Sequence, residues 1–166
     1  IKFAKSIDVH AHAVLDQSMG AAGEHGPELV ETAGQPSLFR VGGYELHGVK
    51  YRDSAFMDVN KRITRMATSG IDFQVLSPNP LTYFHYIDAP SAISFCQRDN
   101  YVLIDLVKQH PDKLAGFAAL PMQDISAACD ELRRAVSELG LLGAYIGTDI
   151  GQPLDGAALD PLYETC

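Results

Sequence analysis

The chain has 166 residues, 46% apolar and 20% charged, a composition that excludes a disordered protein and fits a folded globular one. Thirteen Lys and Arg against 21 Asp and Glu leave a net charge of −8, which argues against nonspecific binding to nucleic acid or to an anionic membrane. A local basic pocket for a small acidic molecule stays open. Cys96, Cys129 and Cys166 form no CxxC pair, so neither a disulfide framework nor a cysteine zinc site is suggested and a cytoplasmic, reducing setting is expected. No apolar run reaches the roughly 18 to 20 residues that cross a bilayer, and the first residues lack the order of a signal peptide.

In chain order, residues 6–13 alternate as a short strand, with Ile7, Val9 and Ala11 on one side and Asp8, His10 and His12 on the other. Residues 14–57 loosen into a Gly-rich stretch that holds a hairpin, with 37–41 turning at Gly42 and Gly43 into a segment that reaches Arg52. This stretch reads as an insertion. Asp58 caps a helix whose apolar face is Val59, Ile63, Met66 and Ala67, ended by Gly70. A strand over 71–77 follows, then a helix over 91–110 with Ile93, Cys96, Tyr101, Ile104 and Val107 on its core face.

Residues 114–120 are apolar at nearly every position, as in a parallel strand buried on both faces. Asp124 then caps a helix with the stripe Ile125, Ala128, Leu132, Ala135 and Leu139, running to Gly140. A fourth strand is expected over 142–147, and a last helix starts at 159–163 with proline near its first turn. Such alternation requires a parallel sheet with right-handed crossovers. No phosphate-binding glycine loop follows any strand. A (β/α)8 barrel remains, and as that fold typically takes about 250 residues, four strand–helix units would be half of one.

The sharpest chemical feature is His10-x-His12. Side chains two apart on a strand project the same way, so both imidazoles can bind one metal ion, preferably zinc or a neighbouring divalent transition metal. Asp8, on the same face by alternation, would orient them from behind.

The blocks Ile7–His12, Arg62 to Met66 with Gly70 to Ser77, Gly116 to Gln123 and Gly143 to Thr148 together resemble the aminocarboxymuconate-semialdehyde decarboxylase branch of the metal-dependent amidohydrolases. The resemblance implies the amino-terminal half of a distorted (β/α)8 (TIM) barrel with a small inserted β-hairpin. It implies a zinc enzyme, most often a decarboxylase of unsaturated or aromatic carboxylic acids. The family's first two metal ligands fall on His10 and His12. Its later ligands, a histidine and an aspartate, and its catalytic histidine are expected beyond residue 166. None of His25, His47, His85 or His110 stands where those roles are filled.

The family also binds a substrate carboxylate through an arginine in the second hairpin strand, which the segment Gly48 to Arg52 resembles. Arg52 is therefore a candidate, since a planar guanidinium holds a carboxylate in two bonds where Lys50 offers a point charge. Arg40 is its rival, and a solvated hairpin arginine is the alternative to both. Asn79, Tyr83 and His85, in an aromatic loop after the second barrel strand, and Thr148 after the fourth, are further candidates for substrate contact. Three functions follow: decarboxylation of a small carboxylate, hydrolysis or hydration of an aromatic ring-cleavage product by the same metal, or an inactive fragment or scaffold. No nucleic-acid or membrane partner is expected, and relatives are often homodimers.

Overall fold

Strands buried on both faces pair in parallel when helices cross over between them, and the computed structural model, which describes residues 4–166, is organised this way. Its regular elements are β1 (Ile7–His12), β2 (Glu28–Val30), β3 (Leu38–Val41), β4 (Tyr44–His47), α1 (Val59–Thr68), β5 (Phe73–Ser77), α2 (Ala89–Gln109), β6 (Leu114–Gly116), α3 (Ile125–Arg134) and α4 (Asp160–Thr165). The parallel sheet runs β1–β5–β6. Leu76 and Leu114, 0% and 1% exposed, pack with Met66 of α1 and with Leu103 and Ile104 of α2 on the helix side of the sheet. Phe73, Val75 and Ala115 form a second cluster with Phe117 on the opposite face.

Capping carboxylates start the helices as the sequence implies. Asp58 accepts from the amides of Asn60 and Lys61, and Asp124 from Ala127. The longest helix begins two residues earlier than expected, because Asp88 caps it through the amide of Ser91 and Pro90 fits its first turn. α3 passes into a single π turn over Ala135–Leu139 before Gly140 ends it in the left-handed conformation.

Three expectations are corrected. The strand over 142–147 is reduced to one parallel bridge between Ala118 and Ala144. Three backbone bonds carry it: Leu142 to the Gly116 carbonyl at 2.9 Å, Ala118 to Gly143 at 2.8 Å and Tyr145 to Ala118 at 3.0 Å. Among the described residues no strand lies beyond it, so no second ladder holds this edge regular. The insertion is a three-stranded antiparallel sheet, β2–β3–β4, and not a hairpin alone. Its last strand stops at His47, where Gly48 takes φ +73°, so Arg52 lies outside it. The turn at Gly42 has φ +56°, a conformation that favours glycine, whereas the nearest atom to a Cβ there, the hydroxyl oxygen of the exposed Tyr86 at 2.7 Å, could move aside. Phe39 and Val41 seat this sheet on Phe84, Ala92 and Phe95.

The buried faces of the helices also carry polar residues. On α1 the buried residues are Arg62 and Met66, while Ala67 is exposed. On α2 they include Asp99 and Asn100, while Tyr101 is exposed. Asp99 lines a cavity of about 10 Å³, room for about one water. Burial pushes its carboxyl up to about 6, with the Ser18 hydroxyl opposing.

The folded chain therefore holds the Asp99 proton in a range where the unfolded chain, titrating near 3.8, has lost it. The contribution of Asp99 to stability therefore falls as pH rises from about 4 to about 6 and stays lower above that. Asp99→Asn is expected to remove this slope and to stabilise the protein at pH 7 by up to about 3 kcal/mol, at about 1.4 kcal/mol per pH unit. Thermal unfolding of both forms at pH 4 and pH 7 checks it. Equal melting shifts at the two pH values would refute the assignment. No described helix is long and apolar enough to cross a membrane.

Candidate metal centre

The pairing of β1 with β5 sets Asp8 opposite Gln74 and Ala11 opposite Leu76, so that Val9 and His10 of one strand stand against Val75 alone of the other. Paired residues of a parallel ladder share a face, so the extra residue exchanges the faces of β1 midway. Asp8 and Ala11 consequently both face the helices, and His10 and His12 face the other way. This overturns the expectation that Asp8 shares a face with the imidazoles. Its carboxylate accepts from the His10 backbone amide at 3.0 Å and from Gln74 Nε2 at 2.8 Å.

Arg62 extends that arrangement from α1. Nη1 donates to Gln74 Oε1 and Nη2 to the His12 carbonyl, both at 2.7 Å. Burial lowers its guanidinium to about 10, the charge of Asp8 opposing. Asp8, Gln74 and Arg62 thus hold the backbone of the two histidines from behind the sheet.

On the open face, His12 Nδ1 lies 2.9 Å from the Pro78 carbonyl and 2.8 Å from Ser77 Oγ. A carbonyl can only accept, so Nδ1 of a neutral His12 carries the hydrogen and Nε2 keeps its lone pair. Burial holds His12 below the ordinary histidine value, with the bond to Pro78 opposing and the charges of His10 and Arg62 reinforcing it. The two Nε2 atoms stand 3.2 Å apart. Two nitrogens bound to one zinc ion at about 2.05 Å in a tetrahedron are about 3.3 Å apart, so the pair fits one metal ion. Among the described residues no group of three or more His, Cys, Asp or Glu could hold one. Two candidate donor nitrogens, His10 Nε2 and His12 Nε2, are brought together among the described residues.

The imidazoles open into a cleft of about 530 Å³, lined also by Tyr44, Tyr83, His85, Tyr86, Tyr145 and Thr148. Tyr83 stacks on Tyr145 with ring centroids 6.0 Å apart and planes at 22°. Burial raises the Tyr83 phenol, whose oxygen has no hydrogen-bond partner among the described residues. His85 Nε2 is 3.8 Å from Asp149 Oδ2 at the rim.

His10, His12, Tyr83, His85 and Thr148 are therefore brought together. Asn79 and Arg52 are not among the cleft's lining. Asn79 is buried and caps the next turn through the Leu81 amide at 2.9 Å. Arg52 donates to Glu31 at 2.7 Å and to Asp16 at 3.1 Å, two exposed pairs within the insertion itself. The rival Arg40 is held by Glu28 at 2.8 Å. Tyr145 had not been singled out, because it ends the irregular fourth strand, where alternation gives no face.

An alternating α/β arc with paired imidazoles at its open face is the arrangement of part of an α/β barrel whose mouth has room for a metal ion. The amidohydrolase family model matches residues 7–166, and the chain belongs to that family. It is similar to 2-amino-3-carboxymuconate-6-semialdehyde decarboxylase of Dictyostelium discoideum, 34% identical over 115 residues, 69% of this chain and 32% of the relative. It is similar to gamma-resorcylate decarboxylase of Rhodococcus jostii (strain RHA1), 39% identical over 103 residues, 61% of this chain and 31% of the relative.

Among solved structures it resembles the dihydroxybenzoic acid decarboxylase of Polaromonas sp. JS666, which has bound manganese and the inhibitor 2-nitroresorcinol. That match has a TM-score of 0.68 at 26% identity and covers 96% of this chain and 45% of the other. The chain thus spans about a third of the length of the curated relatives it matches and under half of the solved one. The fold is a partial α/β barrel of the amidohydrolase type.

Proposed function

We propose that the chain is part of a divalent-metal-dependent decarboxylase, a carbon–carbon lyase acting on an aromatic or unsaturated carboxylic acid. The observation that carries this reading is the convergence of His10 Nε2 and His12 Nε2, 3.2 Å apart, inside an aromatic-lined cleft. His10 and His12 would hold the metal through these atoms. When bound, the metal supplies a Lewis acid that lowers the cost of negative charge as a substrate carbon is protonated and carbon dioxide leaves.

The chain's own residues divide the rest of the work. Ser77 and the Pro78 carbonyl fix the His12 tautomer, and the stacked Tyr83 and Tyr145 rings offer a flat wall to a conjugated substrate. His85 and Thr148 provide polar contacts at the rim. Arg52 would bind a substrate carboxylate only by exchanging Glu31 and Asp16 for it. Imidazole donors suit zinc, while the Polaromonas relative carries manganese, so both metals belong to the proposal. The free thiols of Cys96 and Cys129, both buried, support a cytoplasmic setting.

The test uses the complete polypeptide, stripped of metal and reloaded with zinc or manganese, on hydroxybenzoates and on carboxymuconate semialdehydes. Carbon dioxide is expected in amounts equal to the substrate consumed, and a chelator is expected to stop its release. Products that gain water and keep every carbon would replace this reading with hydrolysis or hydration.

A further inference from the structure

His12 and His10 are held differently. His12 Nδ1 meets a carbonyl, which serves only the tautomer with the hydrogen on Nδ1. His10 Nδ1 meets the hydroxyl of Tyr145 at 3.4 Å, its one side-chain partner among the described residues apart from the neighbouring imidazole on Nε2. The Tyr145 ring also stands edge to face against both imidazoles, with centroids 5.9 Å from His10 and 5.8 Å from His12 and planes at 88° and 90°. Its backbone amide is anchored to the Ala118 carbonyl at 3.0 Å, so the ring projects from the sheet and not from a free loop.

We propose that Tyr145 is the positioning residue of His10, and that its hydroxyl serves the His10 ring in both of its neutral tautomers. The inference rests on the metal reading above and adds to it. In the metal-free chain His12 Nε2 is a bare acceptor 3.2 Å from His10 Nε2, which favours a hydrogen on His10 Nε2. His10 Nδ1 is then an acceptor, and the Tyr145 hydroxyl donates to it.

A metal ligand needs the lone pair of Nε2, which moves the hydrogen to Nδ1. The same hydroxyl then accepts from Nδ1, turning on its C–O bond with no displacement of the ring. A carbonyl or carboxylate in its place could serve the second state only. The contact is long for an O–H to nitrogen bond, as bonds around a reacting centre are before it is fully assembled.

Tyr145→Phe removes the hydroxyl and keeps the ring that packs on both histidines and on Tyr83. In the complete polypeptide, two readouts decide. The first is the affinity for Zn2+ alone, measured by chelator competition, which is expected to weaken about 10- to 100-fold. The second is the imidazole 15N spectrum of the metal-free protein. His10 is expected to shift from one dominant tautomer toward a mixture, while His12, held by Pro78, keeps its pattern. A general loosening of the fold would not single out one ring.

Zinc affinity within about twofold of wild type, together with an unchanged His10 spectrum, would overturn the role of Tyr145. The same titration on His10→Ala keeps the two readings apart. Undiminished zinc binding there would overturn the metal reading itself, whereas an unchanged affinity confined to Tyr145→Phe overturns only the positioning role.

Discussion

Replacing His10 and His12 together by alanine is expected to take bound metal from about one equivalent to near none. Turnover is expected to fall on the order of 10³-fold or more, the upper end of what loss of one preorganised electrostatic contact costs. On the proposed reading these two side chains are the metal donors, and their Nε2 atoms stand 3.2 Å apart. Each single variant leaves its partner facing a gap, so each is expected to lose most of the metal. Metal analysis of the complete polypeptide, followed by the rate of carbon dioxide release, checks both effects. Stoichiometric metal in the double variant would sink the assignment. A loss of activity with metal retained would move these histidines from ligation to substrate contact.

The centre was legible in the sequence for a simple reason and illegible for an equally simple one. Two histidines separated by one residue share a face wherever the strand between them is regular, and the stretch from His10 to His12 is regular enough. Alternation also put Asp8 on that face, and there it failed, since the bulge between Asp8 and Ala11 leaves no mark in a string of residue types. Arg62 was hidden by the opposite assumption. An arginine on a helix is ordinarily read as solvated, and this one is buried because Gln74 and the His12 carbonyl satisfy it.

The helices show how far apolar periodicity reaches. On α3 and the π turn that continues it the expected stripe holds, with Ala128, Leu132 and Ala135 buried. On α2 it holds at Cys96 and Ile104, both buried, and fails at Tyr101, which faces solvent while Asp99 and Asn100 face the core. Hydrophobic pattern finds faces that are buried for being apolar. It cannot find those buried to make hydrogen bonds.

Asn100 is the strongest case of that second kind, and Asn100→Ala is expected to cost on the order of 3 to 5 kcal/mol of stability. The side chain is 0% exposed. Its Nδ2 donates to the Ala119 carbonyl at 2.9 Å and to Glu131 Oε1 at 2.7 Å, while Oδ1 accepts from the Ala119 amide at 2.7 Å. One amide group thus replaces a strand partner for Ala119, just past β6 where the regular ladder has ended. Alanine would leave both backbone groups of a buried residue without a partner, each worth about 1 to 3 kcal/mol, and would take a donor from the buried Glu131 carboxylate.

Asn100→Asp is expected to be no better, because a second carboxylate would face Glu131 Oε1 and the Ala119 carbonyl with no hydrogen to offer either. The effect should also reach the metal. Ala118, next to the clamped residue, accepts from the Tyr145 amide, and Tyr145 touches His10. Denaturant unfolding of the complete polypeptide measures the first effect, and zinc affinity of the folded variant the second. A loss below about 1 kcal/mol would mean that water replaces the clamp. A large loss with wild-type zinc affinity would confine Asn100 to holding the sheet.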